Sequence, residues 1–211
     1  MERHPTTVEA ILTGGHEIGR HSWRHEDPLG HSDDREAGLF GRAMEVHRRM
    51  TGRAPRGYRA PVYNATPRII DRLIAEGFLY DSSLMADDMP YLLRTPAGEL
   101  IELPPHWGAD DWPPFARFEE IGHLMPVRAP SDGLRPFFEE YEAMRAAGGF
   151  WMAVLHPFLT GRLARWAVME RWLEGVLETG EAWFAPLEDI AAHAAAHRDR
   201  LRVDEIDEAA P

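Results

Sequence analysis

Apolar residues recur at helical spacing behind Pro5. Val8, Ile11 and Leu12 share a face, and Gly14-Gly15 ends the run, which predicts a short helix over 5–13. A short apolar element around Ile18 follows. Asp33-Asp34 can cap a helix to about Met50, with Leu39, Ala43, Met44, Val46 and Met50 inward and Thr51-Gly52 as its stop. Arg56–Pro61 predicts a short strand. Thr66 caps and Pro67 opens the next helix, with Ile69, Ile70, Leu73 and Ile74 facing inward and Gly77 closing it. Phe78–Leu84 and Leu100–Leu103 have strand character. Residues 108–131 carry many Pro, Gly and Asp and predict a long loop, in which Trp112, Phe115 and Phe118 favour an ordered lid or wall.

The C-terminal half begins with a helix expected from Asp132 to Ala147, with Phe138, Tyr141 and Met144 on one side. Phe150–Leu155 is the most apolar run and predicts a buried strand of a parallel sheet, ending at His156-Pro157. A helix over 163–178, a short strand over 183–185 and a last helix over 187–201 complete the order, and the acidic end, 204–211, is expected to fray. Helices of 10–16 residues alternating with strands predict an α/β fold, a parallel sheet closed or nearly closed by helices. In such folds the site lies at the carboxyl ends of the strands.

Composition narrows the chemistry. The 211 residues carry a net charge of −12, which disfavours nucleic acid and anionic membranes as partners. With no cysteine, thiolate metal sites and thiol nucleophiles are excluded, so a metal would need His, Asp, Glu or water. No run of about 18 apolar residues suggests a membrane span, and no leader peptide is recognisable, so a cytoplasmic location is expected.

His21 and His25, four residues apart, could meet one metal ion. Spacing alone is weak, because the chain has eleven His and a second such pair, His193 and His197, among plain helix formers. A zinc-peptidase motif is absent: Glu17 follows His16, but the next His comes five residues later. His156, at the end of an apolar strand, suits a general acid that protonates a leaving amine. Arg59, before Ala60-Pro61, could orient a carboxylate or an oxyanion. Trp107, beyond two Pro and near Asp110-Asp111, suits either a core position or a pocket wall.

Four segments together resemble the polysaccharide deacetylase family, carbohydrate esterase family 4 and its amidohydrolase relatives. They are Gly15-His16-Glu17-Ile18-Gly19 with His21-x-x-x-His25; Arg59-Ala60-Pro61; Tyr80-Asp81-Ser82-Ser83; and Leu155-His156-Pro157 followed by Gly161-Arg162. The segments from Leu103-Pro104 to Asp110-Asp111 and from His156-Pro157 through Gly161-Arg162 are most similar to the intracellular allantoinase-like, imidase-like and peptidoglycan-deacetylase-like branch.

The resemblance implies a deformed (β/α) barrel over residues 1–203 with an acidic tail, 204–211. It implies hydrolysis of a non-peptide C–N bond, in an N-acetyl sugar or peptidoglycan or in a cyclic ureide or imide, with water activated by a divalent metal, zinc foremost. His21 and His25 would bind the metal, His156 would be the general acid, and Arg59 would position the catalytic carboxylate. Leu155 would line the acyl pocket, with Trp107, Asp81, Asp110 and Asp111 on the substrate side. Asp110 or Asp111 could also tune His156. The expected partner is a small-molecule or glycan amide, and a homo-oligomer is allowed.

Two departures bear on this. The family's first strand normally ends in an Asp pair, the catalytic base and the third metal ligand, and no Asp precedes His21. A barrel lacking its first strand or strands is therefore expected, and the alternative is an inactive or binding-only homologue. The family's later Asp-Trp is replaced by Leu84-Met85 after the Asp81 segment.

Overall fold

Pro5 opens helix α1 (Pro5–Thr13) in the computed structural model, which describes residues 1–119 and 122–206. Helix α2 (Asp33–Thr51) starts from Ser32, with Asp33, Asp34 and Glu36 in its first turn, where the helix dipole favours negative charge. It ends at Gly52, whose φ of 76° is the left-handed conformation glycine adopts at no steric cost. Its buried side holds Ala43, Met44 and Val46, as the pattern predicts, but also Glu36 and His47. Burial, with Arg20, Arg53 and Arg48 nearby, pushes His47 down to about 4, so this imidazole is neutral inside the fold.

By contact, the chain forms two compact units. The first holds residues 1–104 and the chain from Ala185 onward, and the second holds Pro105–Phe184. The first contains β1 (Gly57–Tyr58), α3 (Pro67–Ala75), β2 (Tyr80–Asp81), β3 (Tyr91–Thr95), β4 (Gly98–Glu102), α7 (Leu187–Ala196) and β5 (Val203–Glu205), besides α1 and α2. The strands make one sheet in the order β1-β2-β4-β3-β5, parallel except for the β3-β4 hairpin. Arg20 adds a single parallel bridge beside Tyr58. Ile69, Ile70 and Leu73 of α3 pack with Tyr58, Phe78, Tyr91, Leu93 and Leu100. Thr66 caps α3 through its hydroxyl, which accepts from the Ile69 N–H at 3.2 Å. Gly57 is required by packing: a Cβ there would lie 1.9 Å from Tyr80 Cζ, inside the ring, so any side chain displaces Tyr80 or separates the strands.

The second unit holds α4 (Trp112–Phe115), α5 (Pro130–Ala147) and α6 (Leu163–Thr179). Phe115, Leu134, Phe137, Leu159 and Met169 form its core. Helix α5 starts two residues earlier than expected because Pro130 occupies its first turn, where a missing N–H costs nothing. Its buried positions are Gly133, Leu134, Phe137 and Tyr141, with Phe138 and Met144 half-buried. Within 108–131, short helical turns order Trp107–Ala109 and Trp112–Phe115, while residues 120 and 121 lie outside the described residues.

Several expectations are corrected. Phe150–Leu155 is not a buried strand. It is half-buried throughout and makes one bridge, Val154 to Asp110. Its side chains serve the helices instead: the Trp151 ring centroid lies 5.6 Å from Tyr141 and 5.3 Å from Trp172. Residues 183–185 form no strand, and Trp183 is exposed. The last helix stops at Ala196 and is followed by a tight turn over Arg198–Arg200. Of the acidic end, 204–206 is not frayed, and 207–211 lies outside the described residues. Val203–Glu205 pairs in parallel with β3, and Arg94 holds Glu205 at 2.8 Å. The strand over 78–84 shrinks to Tyr80–Asp81, and β3 is an element the pattern did not predict. No described helix is long and apolar enough to cross a membrane.

Candidate functional site

In the first unit the chemistry gathers at the carboxyl ends of β1, β2 and β4. His21 follows the Arg20 bridge, and its Nδ1 lies 2.8 Å from the Arg59 carbonyl oxygen. His25 is brought back onto His21, with ring centroids 4.8 Å apart at 76°. The chain achieves this with Ser22 at φ 57° and His25 at φ 63°, a region that non-glycine residues seldom enter. Such strain persists only where the surroundings impose it. Here Glu26 accepts from the Ser22 hydroxyl at 2.5 Å and from the Arg24 N–H at 2.7 Å, closing the loop.

Arg59, just past β1, donates from Nε to the Ser82 carbonyl at 2.8 Å and from a terminal nitrogen to the Ser82 hydroxyl at 2.6 Å. The guanidinium thus braces the end of β2. Ser83 braces it from the other side: its hydroxyl accepts from the Ala60 N–H at 2.8 Å and donates to Asp81 Oδ1 at 2.9 Å.

Asp81, expected on the substrate side, is fully buried, and its carboxyl hydrogen-bonds to that of Glu102. The two are register partners on parallel strands. Glu102 Oε1 accepts from the Ser83 and Leu84 N–H groups at 2.8 and 3.0 Å, while Asp81 Oδ2 and Glu102 Oε2 have no donor of their own. One shared proton satisfies both oxygens. Burial raises both carboxyls, Glu102 most, where the adjacent Asp81 adds to the effect. The folded protein therefore keeps a proton that the unfolded chain releases above the ordinary carboxylate range, and stability should fall as pH rises beyond that range. Glu102→Gln supplies a permanent N–H donor and keeps the Oε1 acceptor. It should flatten the thermal midpoint between about pH 5 and about pH 9, with each kcal/mol recovered raising it about 2–4 °C. A wild-type midpoint that rises over the same range would contradict the shared proton.

In the second unit Asp111 is fully buried and holds His156. The carboxylate Oδ1 lies 2.6 Å from His156 Nδ1, and the His156 N–H donates to both oxygens at 3.1 and 3.0 Å. Thr160 donates to Oδ2 from its N–H at 3.1 Å and from its hydroxyl at 2.5 Å. Asp111 is therefore the carboxylate on His156. Asp110, whose carboxylate is also close by, accepts from the Trp112 N–H at 2.7 Å. The His156 side chain is 29% exposed, so its ring can reach solvent. Trp112 and Phe158 lie edge-on to it, centroids 5.4 and 5.7 Å away, and Trp112 stacks on Phe118 at 5.0 Å. Leu155 packs beside the core of this unit, and Trp107 is 49% exposed at the first turn after Pro105-His106. His193 and His197 lie at the end of α7, ring centroids 4.5 Å apart, with His197 Nδ1 2.9 Å from the His193 carbonyl oxygen.

Residues 1–79 match the sequence profile of the polysaccharide deacetylase family. A solved structure from Mycobacterium smegmatis, assigned as a polysaccharide deacetylase, superposes with a TM-score of 0.90 at 33% identity, over 100% of this chain and 73% of that one. The chain belongs to the polysaccharide deacetylase family. A peptidoglycan deacetylase of Helicobacter pylori is 24% identical over 188 residues, 77% of this chain and 64% of the relative. The structure of PuuE allantoinase aligns with a TM-score of 0.81 at 26% identity, over 93% of this chain and 65% of that one. The chain thus spans about two thirds of the length of these last two relatives. The chain shares with these deacetylase and allantoinase structures a mixed α/β, barrel-type fold.

The divalent metal that this family implies can be weighed against the donors present. His21 meets one requirement of a ligand, since its Nδ1 is held by a backbone carbonyl, the usual support for a metal-binding imidazole. The strained loop that brings His25 beside it meets another. Among the described residues no third His, Asp or Glu joins this pair. Among the described residues, the one group of three potential ligands is Asp110, Asp111 and His156, with donor atoms within 4.8 Å of one another. Both oxygens of Asp111 already accept donors, so a cation there would have to displace them. That group reads as a hydrogen-bonded network holding His156.

Glu102 and Thr160 were not singled out from sequence, whereas Ser83 stands in the Tyr80-Asp81-Ser82-Ser83 segment. The one signal for Glu102 was an acid at the end of the apolar Leu100–Leu103 run. Thr160 gave none, because a lone Thr in a loop is unremarkable.

Proposed function

We propose that this chain carries out hydrolysis of a non-peptide C–N bond, with His156 as general acid. The observation that supports this most directly is the buried Asp111 carboxylate on Nδ1 of a solvent-reaching imidazole. Held in this way, Nδ1 keeps its proton and Nε2 exchanges one with the substrate. The oxygen of water bonds to the carbonyl carbon as the carbon–nitrogen bond breaks; doubly protonated His156 passes its Nε2 proton to the departing nitrogen, which leaves as an amine, and the proton shed by the water restores the balance. Arg59 keeps the end of β2 and the carbonyl on His21 in place. His21 and His25 would hold a divalent ion, zinc foremost, which when bound makes a water acidic enough to act as hydroxide near neutral pH. The substrate class is an N-acetyl sugar or peptidoglycan amide or a cyclic ureide or imide, and the expected location is the cytoplasm.

The test is turnover of N-acetylglucosamine oligomers and of a cyclic ureide by the purified chain, with zinc and with a chelator. Acetate or ring-opened product that falls about tenfold or more on chelation is the expected result. Among the described residues no third ligand stands beside His21 and His25, which favours a second reading, a binding-only homologue. Saturable binding of the same compounds without any product would establish that reading instead.

A further inference from the structure

The turn after His156 contains a buried hydroxyl that a bare Asp-His pair does not require. Thr160 is 2% exposed. It gives Asp111 Oδ2 two donors, its N–H at 3.1 Å and its hydroxyl at 2.5 Å. Thr160 N also lies 3.1 Å from the His156 carbonyl oxygen, so residues 156–160 curl once around the carboxylate. The curl is tight. A Cβ on Gly161 would lie 2.1 Å from the Pro157 carbonyl oxygen, so only glycine lets the chain pass directly after Thr160.

The two carboxylate oxygens are therefore put to different uses. Oδ1 takes the ring nitrogen of His156 at 2.6 Å, and Oδ2 takes both donors of Thr160. A carboxylate turns readily about its terminal bond, since that torsion is broad. A backbone N–H alone leaves some of this freedom. A hydroxyl added to the same oxygen removes it and also fixes the direction of the hydroxyl proton. The other hydrogen bonds to the carboxylate all come from donors, so it acts as acceptor, which leaves His156 Nδ1 as the donor.

We propose that Thr160 is a positioning residue for the reaction: its hydroxyl locks the Asp111 carboxylate so that Oδ1 retains the proton on His156 Nδ1 and Nε2 is the nitrogen that exchanges a proton with substrate. This rests on the general-acid reading of His156, but its principal test needs no turnover.

The test is the tautomer of neutral His156, read from nitrogen chemical shifts in the full chain labelled at histidine. The signal is identified among eleven histidines by its loss in His156→Asn. Wild type should show Nδ1 protonated and Nε2 bare. Thr160→Val, which keeps the shape and removes the hydroxyl, should move His156 toward the Nε2-protonated form that free imidazole side chains prefer. Thr160→Ser should restore the wild-type pattern. On active protein, Thr160→Val should lower kcat roughly tenfold with little change in KM, the size usual for loss of a supporting hydrogen bond. Should Thr160→Val fail to fold, Thr160→Ala removes the hydroxyl without placing a methyl against the carboxylate and carries the same comparison.

A wild-type His156 protonated at Nε2 would overturn the proposal. So would a folded Thr160→Val or Thr160→Ala with an unchanged tautomer, which would make the hydroxyl merely structural. A hydroxyl-dependent tautomer in a chain without turnover would refute the hydrolase reading alone, since the lock on Asp111 and His156 would stand.

Discussion

Replacing Asp111 with alanine should destabilise the protein by about 3–5 kcal/mol, measured as a lower thermal or denaturant midpoint. The carboxylate is fully buried and accepts from four donors: the N–H and Nδ1 of His156, and the N–H and hydroxyl of Thr160. Each buried donor left without an acceptor costs about 1–3 kcal/mol. The sum stays below the full total because the Thr160 hydroxyl can rotate and water can enter the space vacated. Asp111→Asn should cost less, since the amide oxygen still serves one side of the turn. Its nitrogen, however, cannot accept from the other side. An Asp111→Ala protein as stable as wild type would mean that residues 156–160 are held by something other than this carboxylate.

How much of this was legible in the sequence depends on what carries the signal. Helix ends were readable because caps and stops are local: Pro5, Thr66 with Pro67, and Gly52 act through their own backbone and immediate neighbours. Strands were less readable. Tyr91–Thr95 lies between β4 and β5, so the partners that define it are far away in the chain. Phe150–Leu155 misled because apolarity reports burial and not ladder pairing, and its large rings face helices. The first residues of the acidic end misled because backbone pairing with β3, far away in the chain, holds Val203–Glu205 although its charged side chains stay in solvent.

In the candidate site, the residue types were visible and their pairings were not. Asp110 and Asp111 are adjacent and chemically identical, and nothing local says which one meets His156. Val154 decides it. Its N–H bonds to Ala109 and its carbonyl accepts from the Asp111 N–H, setting the two segments in register so that Asp111 lies under the 156–160 turn. Asp81 drew attention as an acid at a strand end, but its partner Glu102 lies on β4, across a register visible only in the folded sheet.

His156→Asn should lower kcat by about 10²–10⁴-fold while leaving KM within about threefold and the thermal midpoint little changed. The asparagine side-chain N–H occupies much the same place as imidazole Nδ1, so it can still donate to Asp111 Oδ1 and keep the turn closed. What is lost is the second nitrogen, the one carrying the proton for the departing amine. The loss should therefore scale with the leaving nitrogen's need for that proton. An amino sugar leaves as a basic amine and must be protonated as the bond breaks, so deacetylation should fall by the full factor. The nitrogen of a cyclic imide leaves as a much weaker base, and ring opening should fall far less. Measured side by side on the two substrate classes, equal losses would argue that His156 binds or orients substrate. An unequal loss of this sign, with KM unchanged, is the signature of proton donation in the transition state.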